Sequence, residues 1–333
     1  MENDTRLIQA SEYAQSGMQE LDNLIIREDA AKKMVLVSLL TGENSLLVGP
    51  PGGGKSSLSG DLYRLISDIK PEDVVQIPAD AELSSMQLIG GRMLSRKMVT
   101  VGGDVRQEDT VVDVEGIVKP STKIIWSDEI NRINPYALNS LLGVFEPPHT
   151  LVTTAGSLLL PDFVINVSTM NPSENSQATF PITHAQASRH AMGTILGVSS
   201  EEERTEITDK IIRQGWEPTP EKVQPIITLQ GLKDLREFVV KVVLSDELAT
   251  RLIELNKTTI ETLASENIHE GDGRMAKQMT KTSKGFALIS GRTDVDEKAM
   301  NQAVRSTVIS RLGALKRYSG HEINSIADSV VEK

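Results

Sequence analysis

Eight consecutive residues, Gly49-Pro50-Pro51-Gly52-Gly53-Gly54-Lys55-Ser56, have the types and order of a loop that binds phosphate. They fit the pattern G-x-x-x-x-G-K-[ST], in which glycines let the backbone close around an anion and turn its N–H groups toward the oxygens. The flanks agree with that reading. The apolar run Leu46-Leu47-Val48 precedes the loop, and a helical pattern carrying Leu58, Leu62, Leu65 and Ile69 follows it. The positive end of that helix would face the phosphates. Lys55 is then placed to reach the β- and γ-phosphates and Ser56 to ligate Mg²⁺, with Ser57 closing the nucleotide-binding set.

Binding alone does not hydrolyse a nucleotide, so a second strand bearing carboxylates is needed. Lys123-Ile124-Ile125-Trp126-Ser127-Asp128-Glu129 supplies it. Successive side chains of a strand point to opposite sides, so adjacent carboxylates at its end can take separate roles. Asp128 can hold the Mg²⁺ shell while Glu129 polarises the attacking water as general base. A third run, Phe163 to Asn171-Pro172, ends in a neutral amide that can hold the water or the γ-phosphate without competing for the metal.

These residues need a scaffold that brings strand ends together. Ser45–Val48, Val74–Ile77, Ile124–Trp126, Phe163–Val167 and Thr194–Val198 are apolar runs of strand length separated by helical patterns. Runs apolar on both faces suit a parallel sheet covered by helices. At the N-terminus Leu7, Ala10, Ala14, Met18, Leu21 and Ile25 recur at helical spacing, interrupted only by Gly17. After Ser199 the pattern is helical throughout, with Leu248, Leu252, Leu255, Thr259 and Leu263 on one face and Asp296 placed to cap a helix from Glu297 to Leu312. The expected organisation is an α/β nucleotide-binding domain over residues 1–198 and a smaller all-helical domain over 199–333. Between them, Ser199-Ser200-Glu201-Glu202-Glu203 is either a linker or the solvated start of a helix.

Composition bounds the partners. With 35 Lys and Arg against 46 Asp and Glu the net charge is −11, which argues against a sequence-independent nucleic-acid coat. No run approaches the roughly 18 apolar residues of a membrane span, and the acidic start Met1-Glu2-Asn3-Asp4 is unlike a signal peptide, so a cytoplasmic protein with no membrane insertion is expected. There is no cysteine, which excludes disulfides and thiolate chemistry. The histidines at 149, 184, 190, 269 and 321 have no metal-ligand spacing.

Taken in order, Asp128-Glu129-Ile130-Asn131-Arg132, the strand ending Asn171-Pro172, and Pro181-Ile182-Thr183-His184-Ala185-Gln186-Ala187-Ser188-Arg189 resemble the MoxR branch of AAA+ ATPases, from about Leu21 to Leu312. The resemblance implies an AAA+ core with a helical lid. It makes the loop at 49–56 the Walker A site and Asp128-Glu129 the Walker B pair. Asn171 falls at sensor 1, Arg189 at the arginine finger and Arg274, in Gly271-Asp272-Gly273-Arg274, at sensor 2. Gly291 to Asp296 resembles the family's lid. Residues 84–113 resemble the hairpin inserted in helix 2, and 149–160 the hairpin ahead of sensor 1; neither holds an aromatic side chain. Two departures stand out. The family's Leu-Asp-Arg-Phe reads Ala187-Ser188-Arg189-His190 here, so no aspartate orients the finger, and Trp126 sits where a small or aliphatic residue is usual. Trp126 is read as a core aromatic.

The implied function is Mg²⁺-dependent ATP hydrolysis by a ring of identical subunits, expected as a hexamer, that remodels a protein client, with von Willebrand factor A proteins as the family's common partners. Two other readings remain. A nucleic-acid motor would need a locally basic pore from Arg92, Arg96, Lys97 and Arg106, and a weakly hydrolysing scaffold is favoured only by Ser188 and His190.

Overall fold

The computed structural model describes residues 2–101, 104–171, 179–197, 201–315 and 318–332. Among the described residues nine strands lie at β1 (Asn44–Val48), β2 (Val74–Ile77), β3 (Gly91–Val101), β4 (Asp104–Val114), β5 (Ile124–Ser127), β6 (Thr150–Thr153), β7 (Gly156–Leu159), β8 (Ile165–Met170) and β9 (His190–Ile195). Five of them form one sheet in the order β2-β5-β8-β1-β9, each neighbouring pair parallel. The other four make two antiparallel hairpins, β3-β4 and β6-β7, where the two glycine-punctuated segments predict them.

The apolar runs produce this sheet because it is covered on both faces. Leu47, Ile124, Ile165 and Met192 face one core, shared with helices from both ends of the chain, while Leu46, Val48, Ile125 and Ile77 face the other. The two-residue alternation within a continuous apolar run thus sorts each strand's side chains between two helix layers. β9 starts at His190, four residues before the expected Thr194, because it pairs with the whole of β1 from Asn44 onward. Val198, Ser199 and Ser200 lie outside the described residues, as do Gly102-Gly103 and Pro172.

The helices are α1 (Glu2–Leu21), α2 (Asp29–Thr41), α3 (Lys55–Asp61), α4 (Ser85–Ile89), α5 (Pro135–Asn139), α6 (His184–Ala187), α7 (Glu201–Gln214), α8 (Leu229–Lys241), α9 (Asp246–Ser265), α10 (Asp272–Ile289), α11 (Glu297–Leu315) and α12 (Gly320–Glu332). Gly17 does not break α1. A Cβ there would stand 2.5 Å from Leu36 Cδ2, so glycine permits the close approach of α1 to α2. The helix after the phosphate loop is shorter than its leucine spacing predicts: α3 ends at Asp61 and a 3₁₀ turn follows over Leu62–Leu65. The chain is drawn out at Ile66 by a parallel bridge to Ile227, with Ser67 N–H donating to Ile227 O at 2.9 Å. In α9, Leu252, Leu255, Thr259 and Leu263 are buried as the spacing predicts. Asp296 Oδ1 accepts from Ala299 N–H at 2.8 Å, capping α11.

α11 lies directly on β9. A Cβ on Gly193 would meet Ser310 Cα at 2.6 Å, and Thr307 and Ser310 donate their hydroxyls to the carbonyls of Ala191 and His190. Edge-strand carbonyls are therefore satisfied by a helix, and the C-terminal helices share the sheet's core.

Candidate nucleotide site

All five parallel strands end on one edge, and the open crevice at such an edge is where α/β sheets place their ligands. β1 delivers the phosphate loop, β5 delivers Asp128 and Glu129, and β8, between them, delivers Asn171. The loop has the backbone its glycines allow: Gly52 and Gly54 have φ of 79° and 77°. A Cβ on Gly52 would project into open space, the room a phosphate needs, whereas one on Gly49 would strike Leu196 O at 2.8 Å. Lys55 opens α3 and is buried, and its ammonium donates to Gly49 O at 2.8 Å and Pro50 O at 2.7 Å. An ammonium has three donors, so one remains for a phosphate oxygen. Burial pulls Lys55 below the usual lysine range, and Glu129 and Asp128 oppose that pull.

The acidic pair is held by β8. Thr169 Oγ1 donates to Asp128 Oδ1 at 2.7 Å and accepts from Glu129 N–H at 2.9 Å. Glu129 itself sits in the left-handed region at φ 44°, strained for a residue with a Cβ, as functional turns often are. Asn171 Nδ2 donates to one Glu129 oxygen and Arg132 Nε pairs with the other. Asn171 Oδ1 is buried with no partner among the described residues, an acceptor available to a water or ligand. Ser56 Oγ stands 3.1 Å from Asp128 Oδ1. A hydroxyl and a carboxylate in register at the mouth of the loop are the hard oxygen donors Mg²⁺ takes, so the residues present fit that ion.

Around this centre lies a cleft of about 570 Å³, lined by Lys55, Asp128, Glu129 and Asn171 at one end and by Ile25, Ile207, Ile211 and Trp216 at the other. The apolar end comes from the α1–α2 turn and from α7. Helix α7 buries no residue of its own, and Arg27 ties it to that turn through Glu203 and Glu206. Arg27 and Glu28 both have positive φ, and Glu28 accepts from Gly197 N–H at 2.9 Å. Gly215, at φ 63°, ends α7 and lets Trp216 N–H reach Lys210 O at 3.2 Å. Glu201–Glu203 open α7, the helical alternative for that polar patch.

Arg189 and Arg274 are brought together, but not here. Arg189 donates to Leu142 O at 2.9 Å and Ala185 O at 2.7 Å and pairs with Glu146 at 3.0 Å. Arg274 donates to the same carboxylate at 2.8 and 3.0 Å and to Ser188 Oγ at 2.8 Å. Burial lowers the Arg189 pKa, Glu146 raises it and Arg274 lowers it. Neither arginine lines the cleft of its own chain. Position 188 offers no carboxylate; Glu146, from another segment, pairs with both arginines, and Ser188 Oγ accepts from Arg274. His190 is buried, with Nε2 2.9 Å from Ser168 Oγ, and burial pulls it down to about 4.

Sequence reasoning missed Thr169, Glu146 and Trp216. Thr169 carried a usable signal, two residues before a candidate amide on a strand; Glu146 carried none. Trp126 is half-buried and lies against Gly60, whose added Cβ would be 3.3 Å from Trp126 Cζ2. Among the described residues no group of three His, Cys, Asp or Glu forms a metal site, and no helix is long and apolar enough to cross a membrane.

The AAA domain of the dynein-related subfamily matches residues 44–185. Chaperone MoxR1 of Mycobacterium tuberculosis is 26% identical over 220 residues, covering 66% of this chain and 52% of that protein. Structural protein ORF618 of Acidianus two-tailed virus is 26% identical over 133 residues, 40% of this chain and 20% of that one. The matches thus span about half of the first relative and a fifth of the second. The crystal structure of a candidate ATPase from Cytophaga hutchinsonii superposes with a TM-score of 0.70 over 99% of this chain and 96% of that one, at 20% identity, which shows a shared fold.

A phosphate loop on a central parallel strand, flanked by strand ends carrying an acidic pair and an amide, is the nucleotide-binding arrangement of the AAA+ class. Residues 44–185 carry that domain, and the chain is similar to the MoxR-type chaperone of the mycobacterium.

Proposed function

We propose that this chain hydrolyses ATP with Mg²⁺ as one subunit of a ring, and that the ring remodels a protein client. The observation that carries the reading is a separation. The cleft holds Lys55, Asp128, Glu129 and Asn171 and, among the described residues, no arginine lines it, while Arg189 and Arg274 stand together on Glu146 elsewhere. Cationic charge on a transferring phosphoryl group accounts for a large part of catalysis in this chemistry. A neighbour's arginine pair docking at the cleft completes it, and that requires an assembly.

In the completed site Lys55 holds the β- and γ-phosphates, and Ser56 and Asp128 hold Mg²⁺, which neutralises charge on those oxygens when bound. Glu129 accepts the proton of the water whose oxygen bonds to the γ-phosphorus as the bridging oxygen departs with ADP. Asn171 keeps Glu129 and that water in register. The segments before and after about residue 198 act in this reading as nucleotide domain and lid, with the base against Trp216 and Ile25.

The client is proposed to be a protein, possible partners with von Willebrand factor A domains included, and the location cytoplasmic. Support comes from the name of the mycobacterial relative, a chaperone, and from the long hairpin, where Leu94, Met98 and Val111 are exposed. Two of its basic residues are answered in place: Arg92 pairs with Asp113 and Arg96 with Asp109. Those pairings count against phosphate tracking. The test is a coupled-phosphate assay in Mg²⁺ across a dilution series, with DNA anisotropy alongside. Turnover per subunit should fall as the ring dissociates. Turnover independent of concentration in a monomer, or sub-micromolar DNA binding at about 150 mM salt, would overturn the reading.

A further inference from the structure

Arg311, in the middle of α11, is the largest fully buried side chain among the described residues. Its Nη1 donates to the carbonyls of Ala187, at 3.1 Å, and His190, and to Ser310 Oγ at 2.9 Å. Its Nη2 donates to Ser188 O at 3.3 Å and to Gln278 Oε1 at 2.8 Å, and its Nε lies 2.7 Å from Glu270 Oε1. The Glu270 side chain is 4% exposed, so both charges of the pair are out of water.

A buried ion pair is a poor means of stabilising a core, since well-packed apolar residues do as well or better. What this one does is local. Three of its acceptors are carbonyls within the four residues 187–190, and Arg189 is the member of that run it does not touch. The short helix α6 ends there, leaving carbonyls that no further helical turn satisfies. Gln278, on α10, adds a donor to Ser188 O at 3.0 Å. The backbone on both sides of Arg189 is thereby fastened to α10 and α11. On the other side His190 reaches Ser168 on β8, next to the Thr169 that holds Asp128 and Glu129.

We propose that Arg311, paired with Glu270, is a positioning residue for Arg189: it fixes the segment from which the finger projects, so that the placement of the C-terminal helices governs catalysis in the neighbouring subunit. The proposal rests on the ring reading above. A lysine cannot reproduce the forked donors that reach three carbonyls at once. Arg311→Lys therefore keeps a charge for Glu270 while loosening the segment, and Arg311→Met with Glu270→Gln removes both charges together in case the single variant does not fold.

The experiment measures labelled-ATP affinity and turnover of each variant, then turnover of co-assembled mixtures. Affinity within about threefold of the parent and turnover at least tenfold lower are expected. Mixed with Glu129→Gln, either variant should regain activity, because an intact Glu129 then meets a well-held finger. Mixed with Arg189→Ala it should regain none, since both defects lie on the finger side. Parental turnover, equal losses of affinity and turnover, or recovery with Arg189→Ala would overturn the proposal. A control mixture of Arg189→Ala with Glu129→Gln separates the two layers: if it co-assembles and stays inactive, the ring reading itself falls and takes this inference with it.

Discussion

Asn171 donates its side-chain amide to the carboxylate of Glu129, across the ends of two neighbouring strands. With Arg132 on the second oxygen, the proposed base is gripped from both sides. The grip makes orientation, rather than charge alone, the property that substitution there should disturb.

Lys55→Ala is expected to weaken ATP binding at least tenfold, because the only cationic donor lining the phosphate end among the described residues is lost. Glu129→Gln should bind ATP like the parent and turn over roughly 10²- to 10⁴-fold more slowly, the usual range for losing a general base. Fluorescent-nucleotide titration and steady-state turnover separate the two effects. Equal binding by Lys55→Ala and the parent would remove the phosphate-loop assignment.

Glu146→Ala should leave ATP affinity within a few-fold and lower turnover about tenfold, since one carboxylate orients both Arg189 and Arg274. Glu146→Gln retains an acceptor and should fall between. A parental rate in Glu146→Ala, measured where the ring is assembled, would show that the arginines find their places without it.

Acid should destabilise the protein through His190. Burial holds its imidazole at about 4 against an ordinary 6.5. The unfolded chain therefore binds a proton the folded chain refuses. The contribution is fully present above about pH 6.5 and is lost as the pH falls toward 4, on the order of 3 kcal/mol in all. Burial lowers His149 as well, adding in the same direction. Melting temperature followed from pH 7 to 4.5 should drop less in His190→Gln than in the parent, and parallel curves would refute the assignment.

Trp216→Ala should weaken ATP binding roughly tenfold, as loss of one base-stacking surface does, with little effect on inorganic phosphate. Because α7 is attached to the α1–α2 turn by exposed pairs from Arg27, salt should loosen it. Arg27→Ala is expected to reduce affinity at low salt and to flatten its dependence on salt, read by isothermal titration between about 50 and 500 mM.

The phosphate loop was legible because its chemistry is a property of eight consecutive backbones, and Asp128, Glu129 and Asn171 because strand ends announce themselves by polar residues after apolar runs. The Arg189–Glu146–Arg274 cluster was not. Its members come from three segments whose meeting is decided by α10 packing on the turn at Arg189; the resemblance singles out Arg189 and Arg274 one by one, and nothing in the sequence shows that Glu146 joins them. Arg311 was hidden for a different reason: on a helix an arginine reads as a solvent-facing residue, and only the carbonyls it meets reveal that it is interior. The over-long helix expected after Lys55 came from counting Leu62, Leu65 and Ile69 as one face, when the bridge between Ile66 and Ile227 had already claimed that stretch.

The β3-β4 hairpin has a mechanical consequence. Its eleven-residue strands reach roughly 35 Å at about 3.4 Å per residue, and they spring from Gly90 and Gly91, both at positive φ. At that root, Thr154 of the second hairpin receives Arg92 N–H at 2.7 Å, and α4 touches α5, the helix just beyond Glu129, through Ser85 Oγ and Tyr136 O at 3.3 Å. The hairpin is therefore a long arm on a short fulcrum. A tilt of about 10° at its root sweeps the far end through roughly 6 Å. A small rotation at the root of such an arm thus becomes, at its far end, a displacement larger than the spacing between two strands of a sheet.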